Sequence, residues 1–196
     1  LHDDDHYVTA RDMAKISKAA LENETFRYVA CKSNYYIAPT NKDKHGKELW
    51  NHHKMVKRTM YVYDGVEGGK TGDTTKAGGT LVTFAKRGDQ ELIVVDLCAH
   101  GYELYEDTIK MLNYGFNNYK TIAPFKTMEM VLQDDAYGFL TTGNKLSPYK
   151  IPLNHLKDVT VMLEKNQPAS NLTYKCKGSK YTVSYNGKRI GSVKLK

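Results

Sequence analysis

Apolar residues recur three and four positions apart in the stretch that follows Thr9-Ala10-Arg11-Asp12. Met13, Ile16, Ala20 and Leu21 share one side of a helix predicted from about Ala10 to Glu22. Thr9 with an acidic residue three positions on reads as its cap, the hydroxyl accepting from an amide of the first turn. The texture turns strand-like through Arg27 to Cys31 and Tyr35 to Ile37, where β-branched and aromatic residues cluster, and Asn41 to Gly46 reads as a polar loop or hairpin turn. From Tyr61 alternation takes over. Val66 to Thr71, Gly79 to Arg87 and Glu91 to Ala99, the last two joined at Gly88-Asp89, predict an antiparallel meander. A second helix is expected to open at Glu106-Asp107, whose carboxylates suit the positive end of the helix dipole. It packs through Ile109, Met111, Leu112 and Phe116 and ends at about Gly115.

Beyond Tyr119 the pattern predicts short strands around Thr127 to Leu132, Tyr149 to Pro152, Val159 to Glu164, Leu172 to Cys176, Tyr181 to Tyr185 and Gly191 to Leu195, with a hairpin turn at Asn186-Gly187. Six short strands without a long helix suggest a small β-sandwich or barrel. Charge divides the chain in the same place. The net charge is +7, but residues 1–120 carry 17 basic and 17 acidic side chains, and residues 121–196 carry 12 and 5. We therefore expect an α+β domain over 1–120 and a β-rich domain over 121–196. The lysines of the second are spread at strand spacing, as on a solvated sheet face.

Composition narrows the class further. Hydrophobic residues make up 40% and charged residues 26%, with 5 Pro, which fits a globular chain and not a disordered or collagen-like one. The longest apolar run, Leu92 to Leu97, includes Asp96 and falls far short of the roughly 18 to 20 residues a membrane-spanning helix needs. The first residues lack the basic and apolar regions of a signal peptide. Cys31, Cys98 and Cys176 are too few and too widely spaced for a disulfide framework or a zinc site. No metal is expected at His2-Asp3-Asp4-Asp5-His6, a terminal acidic loop, or at His52-His53, whose side chains would leave a strand on opposite faces. The 15 tyrosines come without a nucleic-acid-binding motif, and no nucleic-acid partner is expected.

The candidate chemistry lies where the first strand of the meander ends, in Gly69-Lys70-Thr71-Gly72, followed by Asp73-Thr74-Thr75-Lys76-Ala77-Gly78. A strand edge lets a peptide add as a further strand, with main-chain hydrogen bonds supplying affinity. Gly72 has no Cβ and permits close approach, the Thr71 hydroxyl can bind a terminal carboxylate, and Lys70 adds a positive field. Lys-Thr-Gly is also one of three signatures of penicillin-binding proteins and class A β-lactamases, the others being Ser-x-x-Lys and Ser-x-Asn. The bare triplet arises by chance in about one chain in twenty of this length, so the longer pattern carries the weight.

Gly-x-Lys-Thr-Gly-x-Thr-x-x-Ala-Gly, matched here by Gly68, Lys70, Thr71, Gly72, Thr74, Ala77 and Gly78, resembles the serine D-alanyl-D-alanine carboxypeptidases, the low-molecular-mass penicillin-binding proteins. His6 to Ala14 is similar to that family's helix start, Asn51 to Met55 to its Asn-x-x-Lys-Leu segment, Tyr105 to Phe116 to its terminal helix, and the tail to its β-rich C-terminal domain. The resemblance implies part of a β-lactamase/transpeptidase-like domain, an antiparallel sheet with flanking helices, followed by a small all-β sandwich-like domain. It assigns Lys70 and the backbone N–H of Asp73 to catalysis, the latter as an oxyanion-hole donor. Thr71, Gly72 and Thr74 become substrate-binding residues. The implied partners are a peptidoglycan stem peptide ending in D-Ala-D-Ala and, as inhibitors, β-lactams. No cofactor is implied, and the implied location is the outer face of the bacterial cytoplasmic membrane.

The family order places Ser-x-x-Lys and Ser-x-Asn before Lys-Thr-Gly, and neither occurs upstream of Lys70. Ser147-Pro148-Tyr149-Lys150 and Ser184-Tyr185-Asn186 fit the bare patterns, but both lie in the β-rich region, and Pro148 does not suit a nucleophile that opens a helix. This chain therefore supplies no nucleophile. Leu1 resembles the position just after the family's Ser-x-Asn segment, so the expectation is a C-terminal portion that requires an N-terminal segment or a complementary chain, and 196 residues that are inactive alone. Loss of the nucleophile costs on the order of a millionfold. Family members often end in an amphipathic anchoring helix, which leaves peripheral membrane association of a full-length protein open. The alternatives are a β-lactamase or esterase on the same fold and a non-catalytic wall-binding fragment.

Overall fold

The computed structural model describes residues 3–122, 130–132, 137–142, 145–146, 151–152, 160–177 and 180–194. The chain forms two compact units, Leu1–Asn117 and Asn118–Lys196.

In the first unit, β3 (Val66–Thr74), β4 (Gly78–Arg87) and β5 (Gln90–Ala99) form the antiparallel meander in the order β3-β4-β5, so β3 is an edge strand. Alternation along β4 sorts the core to two faces. Val82 and Phe84 pack with Leu21 of α1 (Ala10–Leu21), alongside Met13, Ile93 and Val95. Leu81 and Ala85 pack on the other face with Met55 and Val56 of α3 (Lys54–Lys57) and with Leu104, Leu112 and Phe116 of α4 (Glu103–Asn118). Both faces of the sheet are therefore covered by helices. A hairpin of β1 (Asn34–Ile37) and β2 (Lys47–Trp50) lies between α2 (Glu24–Ala30) and α3 in the chain.

The helix from Ala10 and the meander follow the sequence pattern, and Thr9 Oγ1 accepts from the Asp12 amide at 3.1 Å. Arg27 to Cys31 does not. Those residues belong to α2, which Asn23 caps by accepting from the Phe26 amide at 2.9 Å. Arg27, on the helix, reaches across the sheet surface to Glu91 on β5 at 2.7 Å and Glu67 on β3 at 3.2 Å. A cap and two long-range ion pairs outweigh the weak strand preference of five residues. The α4 boundaries also differ from expectation. The helix opens at Glu103, and Gly115 is internal: a Cβ there would come 2.6 Å from Leu92 Cδ1, so this glycine lets α4 lie close against β5 and does not end it.

In the second unit, β6 (Tyr119–Ile122) pairs antiparallel with β11 (Val161–Glu164), and β12 (Leu172–Lys177), β13 (Lys180–Tyr185) and β14 (Lys188–Lys194) form a second meander. β6 went unrecognised in the sequence. Leu163 from one sheet meets Leu172, Val183 and Tyr185 from the other in a shared core with Ile122 and Val161, as in a small sandwich. Asn186 and Gly187 take φ of 48° and 78° and close the β13–β14 hairpin as the dipeptide predicts. Short strands β7 (Met130–Leu132), β8 (Tyr137–Thr142), β9 (Lys145–Leu146) and β10 (Ile151–Pro152) pair around β8. The Ser147 to Lys150 pattern lies outside the described residues, whereas Ser184 to Asn186 is ladder and turn, with Tyr185 buried.

Two consecutive glycines decide how β3 is held. A Cβ on Gly68 would lie 2.6 Å from Cys31 Sγ and 2.9 Å from the Ala30 carbonyl; one on Gly69 would lie 2.3 Å from the Val82 carbonyl and 2.6 Å from the His53 ring. The first clash is with the end of α2 and the second with the turn before α3, on opposite faces of the strand. At Gly72 the one close atom is Thr80 Oγ1 at 2.5 Å, which can swing away by side-chain rotation. We expect Gly69→Ala to destabilise the first unit by about 2 kcal/mol and Gly72→Ala by less than about 1 kcal/mol in urea unfolding monitored by the Trp50 fluorescence. Equal losses at the two positions would contradict this account of β3.

Candidate functional site

Alternation sets the directions of the motif side chains. Gly68 faces α2 and Gly69 faces His53, so Lys70 and Gly72 share the α2 face, while Thr71 and Asp73 share the face toward α3 and α4. Lys70 is exposed and its Nζ donates to the Thr71 carbonyl. Thr71 is half-buried opposite Leu81, and Asp73 is exposed opposite Gly79. Thr74 Oγ1 accepts from the Ala77 amide at 3.1 Å, and Gly78 turns the chain with φ of 66°, so Thr74 helps to build the β3–β4 turn. Lys76 in that turn pairs with Asp4 at 3.5 Å.

Beside this end of β3 lies a cleft of about 500 Å³, lined by Thr71, Asp73, Gly79, Lys54, Tyr102 and Tyr105 among others. Its walls are the β3–β4 end of the sheet, the first residue of α3 and the residues that open α4. Thr71, Gly72, Asp73 and Thr74 thus meet in one cavity, and Lys70, on the other face of the strand, does not line it. Sequence reasoning missed Lys54, Tyr102 and Tyr105. The pattern Asn51-x-x-Lys54 was visible, but no periodicity carries Lys54 or the start of α4 to β3.

Behind the motif sits His53. It is fully buried, its Nε2 lies 2.9 Å from Thr83 Oγ1, and its ring meets Tyr105 edge-on with centroids 5.7 Å apart. Nδ1 has no hydrogen-bond partner among the described residues. The neutral tautomer with the proton on Nε2 fits, because it leaves Nδ1 a lone pair and not an unpaired N–H. Burial lowers the pKa to about 4. His52 and His53 are not strand neighbours as expected. They lie in the turn before α3, His52 exposed and His53 inside, held by a 2.9 Å bond from the His53 amide to Asn51 Oδ1. Among the described residues no three His, Cys, Asp or Glu side chains gather as a metal site. Cys31 and Cys98 are free thiols, and burial pushes that of Cys31 up. The Cys176 side chain lies outside the described residues.

A helix-covered antiparallel sheet with Lys-Thr-Gly on its edge strand is the architecture of the penicillin-binding transpeptidase class. The whole chain superposes on 57% of penicillin binding protein 5 from Haemophilus influenzae with a TM-score of 0.63 at 23% identity, a likeness of fold. A mutant of a Streptomyces DD-transpeptidase superposes on 60% of this chain and 45% of its own with a TM-score of 0.54 at 29% identity. The family profile described as D-alanyl-D-alanine carboxypeptidase, peptidase S11, matches residues 1–101, and the chain belongs to that family. D-alanyl-D-alanine carboxypeptidase DacC of Escherichia coli is 30% identical over 122 residues, 61% of this chain and 28% of the relative. A Streptomyces D-alanyl-D-alanine carboxypeptidase is 33% identical over 112 residues, 57% of this chain and 38% of the relative. The chain thus spans well under half the length of these curated relatives.

The buried imidazole makes stability depend on pH. Between the unfolded value of about 6.5 and the folded value of about 4, the unfolded chain binds the extra proton, so stability is full above pH 7 and falls as pH drops through this window. We expect a loss of about 2 to 3 kcal/mol between pH 7 and pH 4 from this residue. Asp96, whose carboxyl burial raises, works in the opposite direction. It is common to wild type and His53→Gln, so the difference between their urea midpoints across pH isolates the histidine. Parallel curves for the two proteins would show that His53 is not buried neutral.

Proposed function

We propose that the β3 edge is the substrate-binding edge of a serine-type D-alanyl-D-alanine carboxypeptidase of the bacterial envelope. Family membership and one observation support this: Thr71, Gly72 and Asp73 border a single cleft beside an unpaired strand edge. A stem peptide ending in D-Ala-D-Ala adds to β3 as an extra strand, Gly72 allows its backbone to come close, and the Thr71 hydroxyl donates to its terminal carboxylate. The Asp73 N–H polarises the scissile carbonyl as one oxyanion-hole donor. Lys70, on the opposite face of β3, supplies positive charge beneath the strand. Thr74 belongs to the turn that closes this end of the site.

The serine nucleophile and its lysine base come from a segment outside these 196 residues, which alone turn over no substrate. In the reaction the serine oxygen attacks the carbonyl of the penultimate D-Ala, D-alanine leaves, and water hydrolyses the acyl-enzyme. β-Lactams acylate the same serine. Residues 1–117 form the sheet-bearing part of the catalytic domain, and 118–196, with β6 in it, an appended β domain. No described helix is long and apolar enough to cross a membrane.

Intact mass under denaturing conditions, after incubation with excess benzylpenicillin, tests the proposal. With the upstream segment present we expect one penicillin adduct, carried on that segment, and an acylation rate lowered at least about tenfold by Thr71→Ala. An adduct within these 196 residues, or none with the upstream segment present, overturns it.

A further inference from the structure

Register fixes what the outer face of the β12–β14 meander presents. Leu172, Tyr181, Val183 and Tyr185 are buried, so the residues that alternate with them look out from the other side of the sheet. At one end of that side Lys177 stands opposite Lys180, and Lys194 holds the register position beyond Lys180 on β14. Three cations thus cross three strands in a row about 10 Å long, given strands about 4.8 Å apart. Lys175 lies in the next row, with Thr182 and Ser192, and the third begins with Thr173 and Ser184.

A bulge ends the third row in an arginine. The register of β13 and β14 shifts between Val183 and Ser184, which leaves Ile190 without a partner and brings Arg189 opposite Ser184. Arg189 Nη2 donates to Ser192 Oγ at 2.8 Å, which holds the guanidinium over the same face.

Lys175, Lys177, Lys180 and Arg189 are exposed, and among the described residues none of them has a carboxylate within ion-pair distance. Residues 165–196 carry eight basic side chains and no acidic one. Like charges set directly opposite each other weaken a ladder, and a bound anion offsets that repulsion. The hydroxyls of Thr173, Thr182 and Ser184, interspersed with the cations, can donate to phosphate oxygens. These rows offer no aromatic ring on which a base could stack and no apolar side chain that could enter a lipid layer.

We propose that this face binds a linear polyanion with a phosphate at each repeat, the chain crossing the strands along Lys177, Lys180 and Lys194 while Lys175 and Arg189 hold flanking phosphates. Concentration of charge along one line favours a chain over a planar anionic surface. The site belongs to the second unit and is independent of the reading of β3.

The test is a chemical-shift titration of the 196-residue chain with short-chain sodium polyphosphate. Shifts should map to β12, β13 and β14, and affinity should fall about a hundredfold between about 50 and 200 mM salt if all five cations engage. Lys177→Gln/Lys180→Gln should weaken binding at least about tenfold at the lower salt and flatten the salt dependence. The same variant should keep or raise the urea midpoint, because the opposed charges are gone. Lys165→Gln/Lys188→Gln removes equal charge outside the face, since Lys188 holds the register position of buried Tyr185, and should bind within about twofold of wild type. Equal losses in the two double variants would reduce the effect to net charge and overturn the site, as would undiminished binding by Lys177→Gln/Lys180→Gln or no binding by wild type. Equal or tighter binding of poly-L-glutamate, oligothymidylate or phosphatidylglycerol vesicles at matched charge overturns the phosphate chain as the occupant.

Discussion

An edge strand is the element of a sheet least held by its neighbours, since one of its sides has no partner. β3 is nevertheless pinned, because Gly68 and Gly69 offer no side chain on either face and packing closes directly onto the backbone. The end of α2 presses on one face and the buried imidazole of His53 on the other. A methyl group at Gly69 would run into a backbone carbonyl as well as a ring, and neither can move without displacing β4 or α3. The strand is thus fixed two residues before Thr71, although only one of its sides is paired, to β4.

That pinning also sets direction. With Gly68 and Gly69 assigned to opposite faces, the two-residue period sends Lys70 away from Thr71, although the two are adjacent in sequence. The cleft on the Thr71 side is bordered by Lys54, held there by the same turn that buries His53. Near the other end of α4, Gly115 lets the helix settle against Leu92. Tyr105 joins these parts, packing edge-on against His53 and accepting from the Lys54 amide.

The second unit follows a simpler rule. Alternating residues of β12 to β14 place Leu172, Val183 and Tyr185 on one side, where Leu163 meets them, and leave the lysines of these strands outward at Lys175 and Lys177. Lys180, at the start of β13, is exposed as well, so the described lysines of these strands lie on the solvated side of the sheet.

Local pattern alone specified the helix at Ala10, the three strands of the meander, the Asn186-Gly187 hairpin and the Lys-Thr-Gly triplet, because each rests on contacts within a few residues: a cap, a period of two, a turn requiring positive φ. Where long-range contacts competed, pattern failed. α2 was mistaken for a strand because its ion pairs lie on β3 and β5, and Gly115 was read as a helix end when its role is a contact with Leu92. The sequence determined which groups could hold a peptide on β3. Only the tertiary structure decided which face each one serves and that Lys54, Tyr102 and Tyr105 stand beside them, since burial of His53 and α4 against the sheet, and no spacing along the chain, brings them together.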